Sequence, residues 1–411
     1  MFKKISVHQL TLGMHLKEFC GSWMEHPFWR TAFVLTDPKD IEAILASSIK
    51  EVWIDCAKGL DVAAGVSAVS VAESESQVEG ELKQAAEERP TLTPVSAANE
   101  IEHAAKICLR AKQAVISMFE EARMGNLVEV GGAKLLVEEI SCSIYRNPWV
   151  LISLARIKNV DDYTYMHSVA VCAMMVLLSR QLGLDEAQTQ SAGVAGLLHD
   201  FGKATMPIDV LQKPGKLTDA EYSIIKRHSK AGHKLLRSGM DLDPMTLDVC
   251  LHHHERMDGS GYPDRLKADE ISLGARMAAV CDVYDAITSN RHYKSGWDPA
   301  ASLKKMAAWS GQFDPKVFQA FVKGMGIYPV GSLVRLTSGR LGVVIEQTGK
   351  SLTTPSVKVF FSTKSNMRIL PQVIDLSSHG TTEKIVARED PAKWCFPDLN
   401  ELWSGLPQIT W

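Results

Sequence analysis

Histidine and aspartate recur through the middle of this chain at His167, His199–Asp200, His228, His253–His254 and Asp282, at intervals of 25 to 32 residues. No single loop can gather side chains spaced so widely. Several helices, each returning the chain to one place, must bring them together, and that requirement makes the fold mainly α. Imidazole mixed with carboxylate is the ligand set of iron, manganese, zinc or nickel rather than of calcium or magnesium alone. A centre of that kind most often hydrolyses a phosphate ester.

The flanks of this region read differently. KISV, HLKEF, AFVLT and EVWID within residues 3–60 are short β-type runs. Asp37-Pro38 ahead of KDIEAILASS is an N-cap followed by proline at the first turn of a helix. Residues 1–72 therefore predict a small N-terminal α+β module. The polar stretch 73–98 predicts a solvated linker with some helix. From Asn99 to about Met124, Ile101, Ala104, Ala105, Cys108, Val115 and Phe119 recur at helical spacing, and helical patterns continue to residue 327. From 328 onward VGSLVRL, LGVVIEQ, SVKVFF and RILPQVIDL are short strands with glycine turns, which predict a small barrel-like tail within 328–411.

Composition narrows the partners. A net charge of -3 argues against duplex DNA, while a metal centre could still attract a small anion. The eight cysteines include no CxxC pair, which predicts reduced thiols and a cytoplasmic protein. The longest apolar stretches, such as 170–178, are about half a membrane span, so no span is expected.

Each candidate has a plainer reading. His167 in YTYMHSVAVCAMMVLL would, alone, be a core histidine. His228 and His233 could lie on a basic helix face, and His252 reads as a spare beside His253 and His254. His199-Asp200 follows the apolar run SAGVAGLL, which places the pair at the end of a buried helix, where its polar groups need partners or a metal. His199 and Lys203, four apart, are expected on one helix face. Asp282 and Asp285, three apart on an apolar helix, should face one side. Arg291 and Lys294 would be an exposed basic face without that context. DGSGYP at 258–263 is a tight loop whose glycines, Gly259 and Gly261, could admit a ligand close to the backbone.

Taken together, HDFGK at 199–203, HHERMDGSGYP at 253–263 and DVYDAITSNRHYK at 282–294 closely resemble the HD-GYP family of bacterial cyclic di-GMP phosphodiesterases, within the HD-domain metal-dependent phosphohydrolases. The resemblance implies an all-helical HD-type catalytic domain and two transition-metal ions per chain, iron or manganese. It assigns metal ligation to His167, His199, Asp200, His228, His253, His254 and Asp282, with Asp200 bridging. It gives Asp200 and Lys203 catalytic roles, and substrate contacts to Lys203, Gly261, Tyr262, Arg291 and Lys294. Asp285 would orient a ligating imidazole. The implied reaction is hydrolysis of cyclic di-GMP to linear pGpG, with GMP as a further product, which lowers a bacterial second messenger.

The likeness extends to the flanks. Residues 3–60 look like the small module found ahead of many such domains, and the strands from 328 look like a tail that many of them carry. Two departures matter. Tyr163 stands four residues before His167, where some members carry a glutamate that helps hold a third metal, and Arg291-His292-Tyr293-Lys294 replaces Arg-Pro-Tyr-Lys. Three readings remain: a cyclic di-GMP phosphodiesterase, a hydrolase of another nucleotide, and a protein whose site only binds. A homodimer or a signalling-protein partner is compatible with each.

Overall fold

A computed structural model describes residues 2–20, 32–46, 51–62, 69–70, 93–125, 131–157, 163–211, 213, 215, 217–239, 242–289, 296–347 and 351–406. It separates into two compact units, Met1–Leu92 and Thr93–Trp411.

In the first unit, β1 (Phe2–Ser6), β2 (His15–Cys20), β3 (Phe33–Val34), β4 (Glu51–Asp55) and β5 (Val69–Ser70) form one sheet in the order β3-β2-β4-β1-β5. Strand β1 runs antiparallel to β4, with Ile5 opposite Val52. Ile5, Leu16, Val52 and Ile54 are buried together with Leu35. Helix α1 (Pro38–Ala46) adds Ile44 to that core. The Asp37 carboxylate accepts from the Lys39 amide at 2.9 Å, the cap that Asp37-Pro38 predicted. Residues 21–31, ahead of the AFVLT run, lie outside the described residues.

The second unit is mainly helical. Helices α2 (Ala97–Arg123), α3 (Gly131–Arg146), α4 (Val150–Arg156), α5 (Tyr163–Gln181) and α6 (Glu186–Leu198) open it. Short α7 (Ile208–Leu211), α8 (Asp219–Ile225), α9 (His228–Gly239), α10 (Pro244–His252), α11 (Leu273–Thr288), α12 (Pro299–Ala307) and α13 (Pro315–Met325) follow. Every residue of α5 from Met166 to Ser179 is buried. A helix apolar on all sides belongs at the centre of a domain, and α2, α4, α6, α11 and α13 pack around it.

One buried charge ties α2 to α3. Glu100, 2% exposed, accepts from Ser143 Oγ at 2.7 Å and from Arg146 Nε and Nη2 at 2.7 and 2.8 Å. Removing one partner of a buried pair costs about 3–5 kcal/mol. We expect Arg146→Ala to lose about 3 kcal/mol, the low end of that range, because Ser143 still donates. A shift in urea midpoint at unchanged slope would report it. An unmoved midpoint would show that water satisfies Glu100 as well as Arg146 does.

The C-terminal strands β6 (Leu333–Leu336), β7 (Arg340–Glu346), β8 (Ser356–Ser362), β9 (Met367–Asp375) and β10 (Ile385–Arg388) form an antiparallel sheet in the order β10-β6-β7-β8-β9. The barrel expected from the sequence is not formed. Among the described residues no pairing joins β9 to β10, so the sheet is open. Strand β9 carries Pro371, which has no N–H to extend the ladder, and Leu370 beside it is 89% exposed, as suits an edge strand. Strand β10 lies beyond RILPQVIDL, the last of the runs that the sequence marks as strands. After it come α14 (Pro391–Trp394) and α15 (Leu399–Ser404). Trp394 and Phe396 pack on Phe360 and Phe361, so this Trp-rich segment covers part of the sheet. No helix of the described residues is long and apolar enough to cross a membrane.

Candidate metal centre

Five elements deliver the site. His167 lies one turn into α5. Helix α6 begins at a capping box between Asp185 and Gln188 and ends at Leu198, so His199 and Asp200 project where it stops. A 3-10 turn, Phe201–Thr205, follows at once. His228 is the first residue of α9. His253 and His254 close α10, which starts at the Asp243 cap and Pro244. Asp282 and Asp285 sit on α11, capped by Ser272.

These side chains converge. The ligand atoms of His167, His199 and Asp282 lie within 4.8 Å of one another, as do those of Asp200, His228, His253 and His254. The Asp200 carboxylate stands between the two groups. Its Oδ2 is 3.5 Å from His167 Nε2 and 3.3 Å from His199 Nε2. Its Oδ1 is 3.3 Å from His228 Nε2 and 3.7 Å from His253 Nε2. Two ligands about 2.1 Å from one ion and at right angles to each other are roughly 3 Å apart, so these separations suit two ions sharing Asp200.

The imidazoles are held in the ligating tautomer. His199 Nδ1 donates to Gly196 O at 2.8 Å, His228 Nδ1 to Ile225 O at 2.6 Å and His253 Nδ1 to Val249 O at 3.0 Å. A carbonyl only accepts, so each proton sits on Nδ1 and each Nε2 lone pair faces inward. His167 differs, because its Nδ1 meets Asp285 Oδ2 at 2.6 Å and its Nε2 lies 3.0 Å from Asp282 Oδ1. Asp285 therefore stands behind His167, where a carboxylate can orient an imidazole, the place that the resemblance implied for it. Two buried polar atoms, His199 Nε2 and Asp200 Oδ1, have no hydrogen-bond partner among the described residues. Buried acceptors left without a donor are costly unless a cation takes them, and this fits the residues to a divalent metal.

Electrostatics agree with that reading. Burial pushes the His253 imidazole well below its ordinary value and His254 down to about 3. Burial also lowers His228, against the pull of Asp200. All three are neutral, the form that binds metal. Burial alone would raise Asp200, but the Lys203 ammonium beside it holds it well below the usual carboxylate range. For His167 burial is outweighed by Asp282 and Asp285, which raise it. A cation at Nε2 would displace that proton.

One expectation needs revision. His199 and Lys203 do not share a helix face. The helix ends between them, and the three-residue repeat of the 3-10 turn sets Lys203 Nζ over Asp200 Oδ2 at 2.5 Å. Gly261 is required by the chain itself. A Cβ there would lie 2.5 Å from Glu255 Cα and 2.6 Å from His254 O, so the loop folds directly onto the turn that carries the ligands. Tyr262 packs at a tilt against His254, with ring centres 4.7 Å apart. Tyr163 stacks flat on His167 at 5.6 Å, a phenol ring where some relatives have a carboxylate. His252 pairs with Asp248 and Asp264 and is not in either ligand group. Arg291 and Lys294 lie outside the described residues.

One residue escaped the sequence reading. Glu255 is 2% exposed, and its Oε1 accepts from the Asp264 and Arg265 amides at 2.7 and 2.9 Å. It pins the far end of the DGSGYP loop to the turn holding His253 and His254. The acidic residue directly after the histidines was the available signal.

Comparisons with known proteins bear on the same residues. Residues 2–133 match a domain of unknown function, DUF3391, and residues 150–317 match an HD domain. The chain is 52% identical to a cyclic di-GMP phosphodiesterase of Pseudomonas aeruginosa, across 100% of this chain and 97% of that protein. It is 43% identical to a cyclic di-GMP phosphodiesterase response regulator of Xanthomonas campestris, over 36% of this chain and 40% of the relative. A 3'3'-cGAMP-specific phosphodiesterase of Vibrio cholerae is 35% identical over 39% of this chain and 31% of its own length.

Proposed function

We propose that this chain, which belongs to the HD-GYP family of HD-domain phosphohydrolases, hydrolyses cyclic di-GMP. The observation that carries this reading is the Asp200 carboxylate, whose two oxygens address two separate sets of imidazoles. That arrangement supports a pair of ions, iron or manganese, bridged by Asp200. His167, His199 and Asp282 would hold one ion, and His228, His253 and His254 the other. A bound pair supplies a nucleophile from water at neutral pH and offsets phosphate charge. The chain's own groups do the remaining work.

Lys203, one-fifth exposed beside Asp200, lies where it can hold a phosphate oxygen or the attacking water. Asp285 keeps His167 in place. Gly261 and Tyr262, on the loop against His254, serve as substrate contacts, and Arg291 and Lys294 serve as a phosphate clamp. No covalent protein nucleophile is required. Within the second unit, 99–327 is the catalytic part and 328–411 a β-rich tail, while 1–72 is a separate module joined by the linker 73–98.

Ring opening gives linear pGpG first. A second cut requires the flexible product to rebind with its remaining link over the centre, so GMP forms more slowly. The test is anaerobic purification, metal analysis, and chromatography of reactions with cyclic di-GMP and, in parallel, cyclic GMP-AMP. About two ions per chain are expected from the two ligand groups, with pGpG appearing before GMP. Three tightly held ions would mean that Tyr163 does not preclude a third site. Turnover of cyclic GMP-AMP alone would replace the assigned substrate.

A further inference from the structure

We propose that Lys226, with the rings of Tyr222 and Tyr262, forms an outer subsite for the half of a cyclic dinucleotide that is not being cleaved. The ammonium takes its phosphate, and a tyrosine face takes its purine. This rests on the functional reading above. The observation is a sequence of contacts leading out of the metal centre. Tyr262 packs at a tilt against His254 at 4.7 Å, Lys226 Nζ lies 5.9 Å from the Tyr262 ring centre, and the same nitrogen lies 4.9 Å from the Tyr222 ring centre.

The position is well anchored. Lys226 caps the end of α8, its amide donating to Tyr222 O at 3.0 Å. The neighbouring carbonyl, Ile225 O, accepts from the ligand His228 at 2.6 Å, so the stem of Lys226 is tied to the centre through one residue. Charge accounting isolates this lysine. Lys213 is paired with Glu221 and Lys230 with Asp264. Among the described residues no carboxylate pairs with Lys226, and its side chain is half-buried rather than extended into water.

A cation held over ring faces and left without an anion is suited to bind one. A cyclic dinucleotide carries two phosphodiesters. With one over the ions beside Lys203, the second stays negative and calls for a further cation outside the centre. A tyrosine face beside that phosphate suits a purine, because aromatic stacking tolerates any base.

The test compares cyclic di-GMP with bis(4-nitrophenyl) phosphate, a diester with one phosphate and no purine, on the metal-loaded full chain. Lys226→Gln is expected to raise KM for cyclic di-GMP about ten- to hundredfold, the range for losing one charge-assisted phosphate contact. Its loss on the small diester should be at least about tenfold smaller, with metal content retained. Lys226→Arg should recover most of the affinity, and Tyr222→Ala should raise KM while Tyr222→Phe should not. An unchanged KM in Lys226→Gln, or equal losses on both substrates, would overturn the subsite. Wild-type protein that cleaves the small diester but not cyclic di-GMP overturns the functional reading, and the subsite with it.

Discussion

Replacing His199 and Asp200 together with alanine is expected to lower turnover of cyclic di-GMP by more than about a thousandfold and to empty the centre of metal. The size follows from losing a metal contribution of several kcal/mol at a factor of ten per 1.36 kcal/mol. Asp200 matters more than any single histidine because each of its oxygens faces a different ligand group. Its removal would take a ligand from both groups at once, whereas a lost imidazole would weaken one. Lys203 also loses its partner, but at 21% side-chain exposure it can turn to water. Metal content by atomic emission and turnover by chromatography should fall together while the far-UV spectrum is kept. Full turnover by the double variant would sink the assignment. Metal retained without turnover would confine the pair to the chemical step.

Gly202→Ala should be nearly as damaging, although the residue touches neither metal nor substrate. A Cβ at 202 would lie 1.9 Å from His228 O and 2.5 Å from the amide of Gly232. Both are backbone atoms at the start of α9, so no side chain can swing away to make room. The first turn of α9 must withdraw, taking with it His228, whose Nε2 stands 3.3 Å from both Asp200 Oδ1 and His253 Nε2. Overpacking of this kind costs about 1–3 kcal/mol of stability. Disturbed ligand geometry should weaken metal binding by about ten- to hundredfold or more. The measurement is metal affinity by competition with a chelator, alongside thermal unfolding. A variant with lowered melting temperature but unaltered metal affinity would show that α9 yields elsewhere and that His228 keeps its place.

The ligand set was legible because its chemistry is compositional. Histidines and aspartates that interrupt apolar runs are expensive to bury, and the runs around His167, His199 and Asp282 are buried almost throughout. Asp285 was legible for a related reason, since three residues along a helix from Asp282 put it on the same side. Glu255 was not, because its partners are backbone amides of Asp264 and Arg265, nine and ten residues on, and any residue type supplies those. Gly202 reads in sequence as an ordinary turn glycine. Only the approach of α9 turns it into a contact point.

The barrel failed for a physical cause that periodicity cannot express. Alternation marks a strand as half-buried, but whether a sheet closes depends on the twist and register of all its members. Here an edge strand with Pro371 ends the ladder. Lys203 shows the same limit on a smaller scale. A four-residue spacing predicts a shared helix face, yet a helix that stops at Leu198 hands the chain to a tighter turn and gives the lysine to Asp200.

Which residues could bind metal, and that helices must gather them, follow from side-chain chemistry and spacing, both local properties of the chain. The division of those residues into two groups has another origin. It depends on which oxygen of Asp200 faces which imidazole, and that is set by where α5, α6, α9, α10 and α11 meet. Their meeting is a balance of packing over the whole helical unit, from the all-buried α5 outward, and no short stretch of sequence contains it.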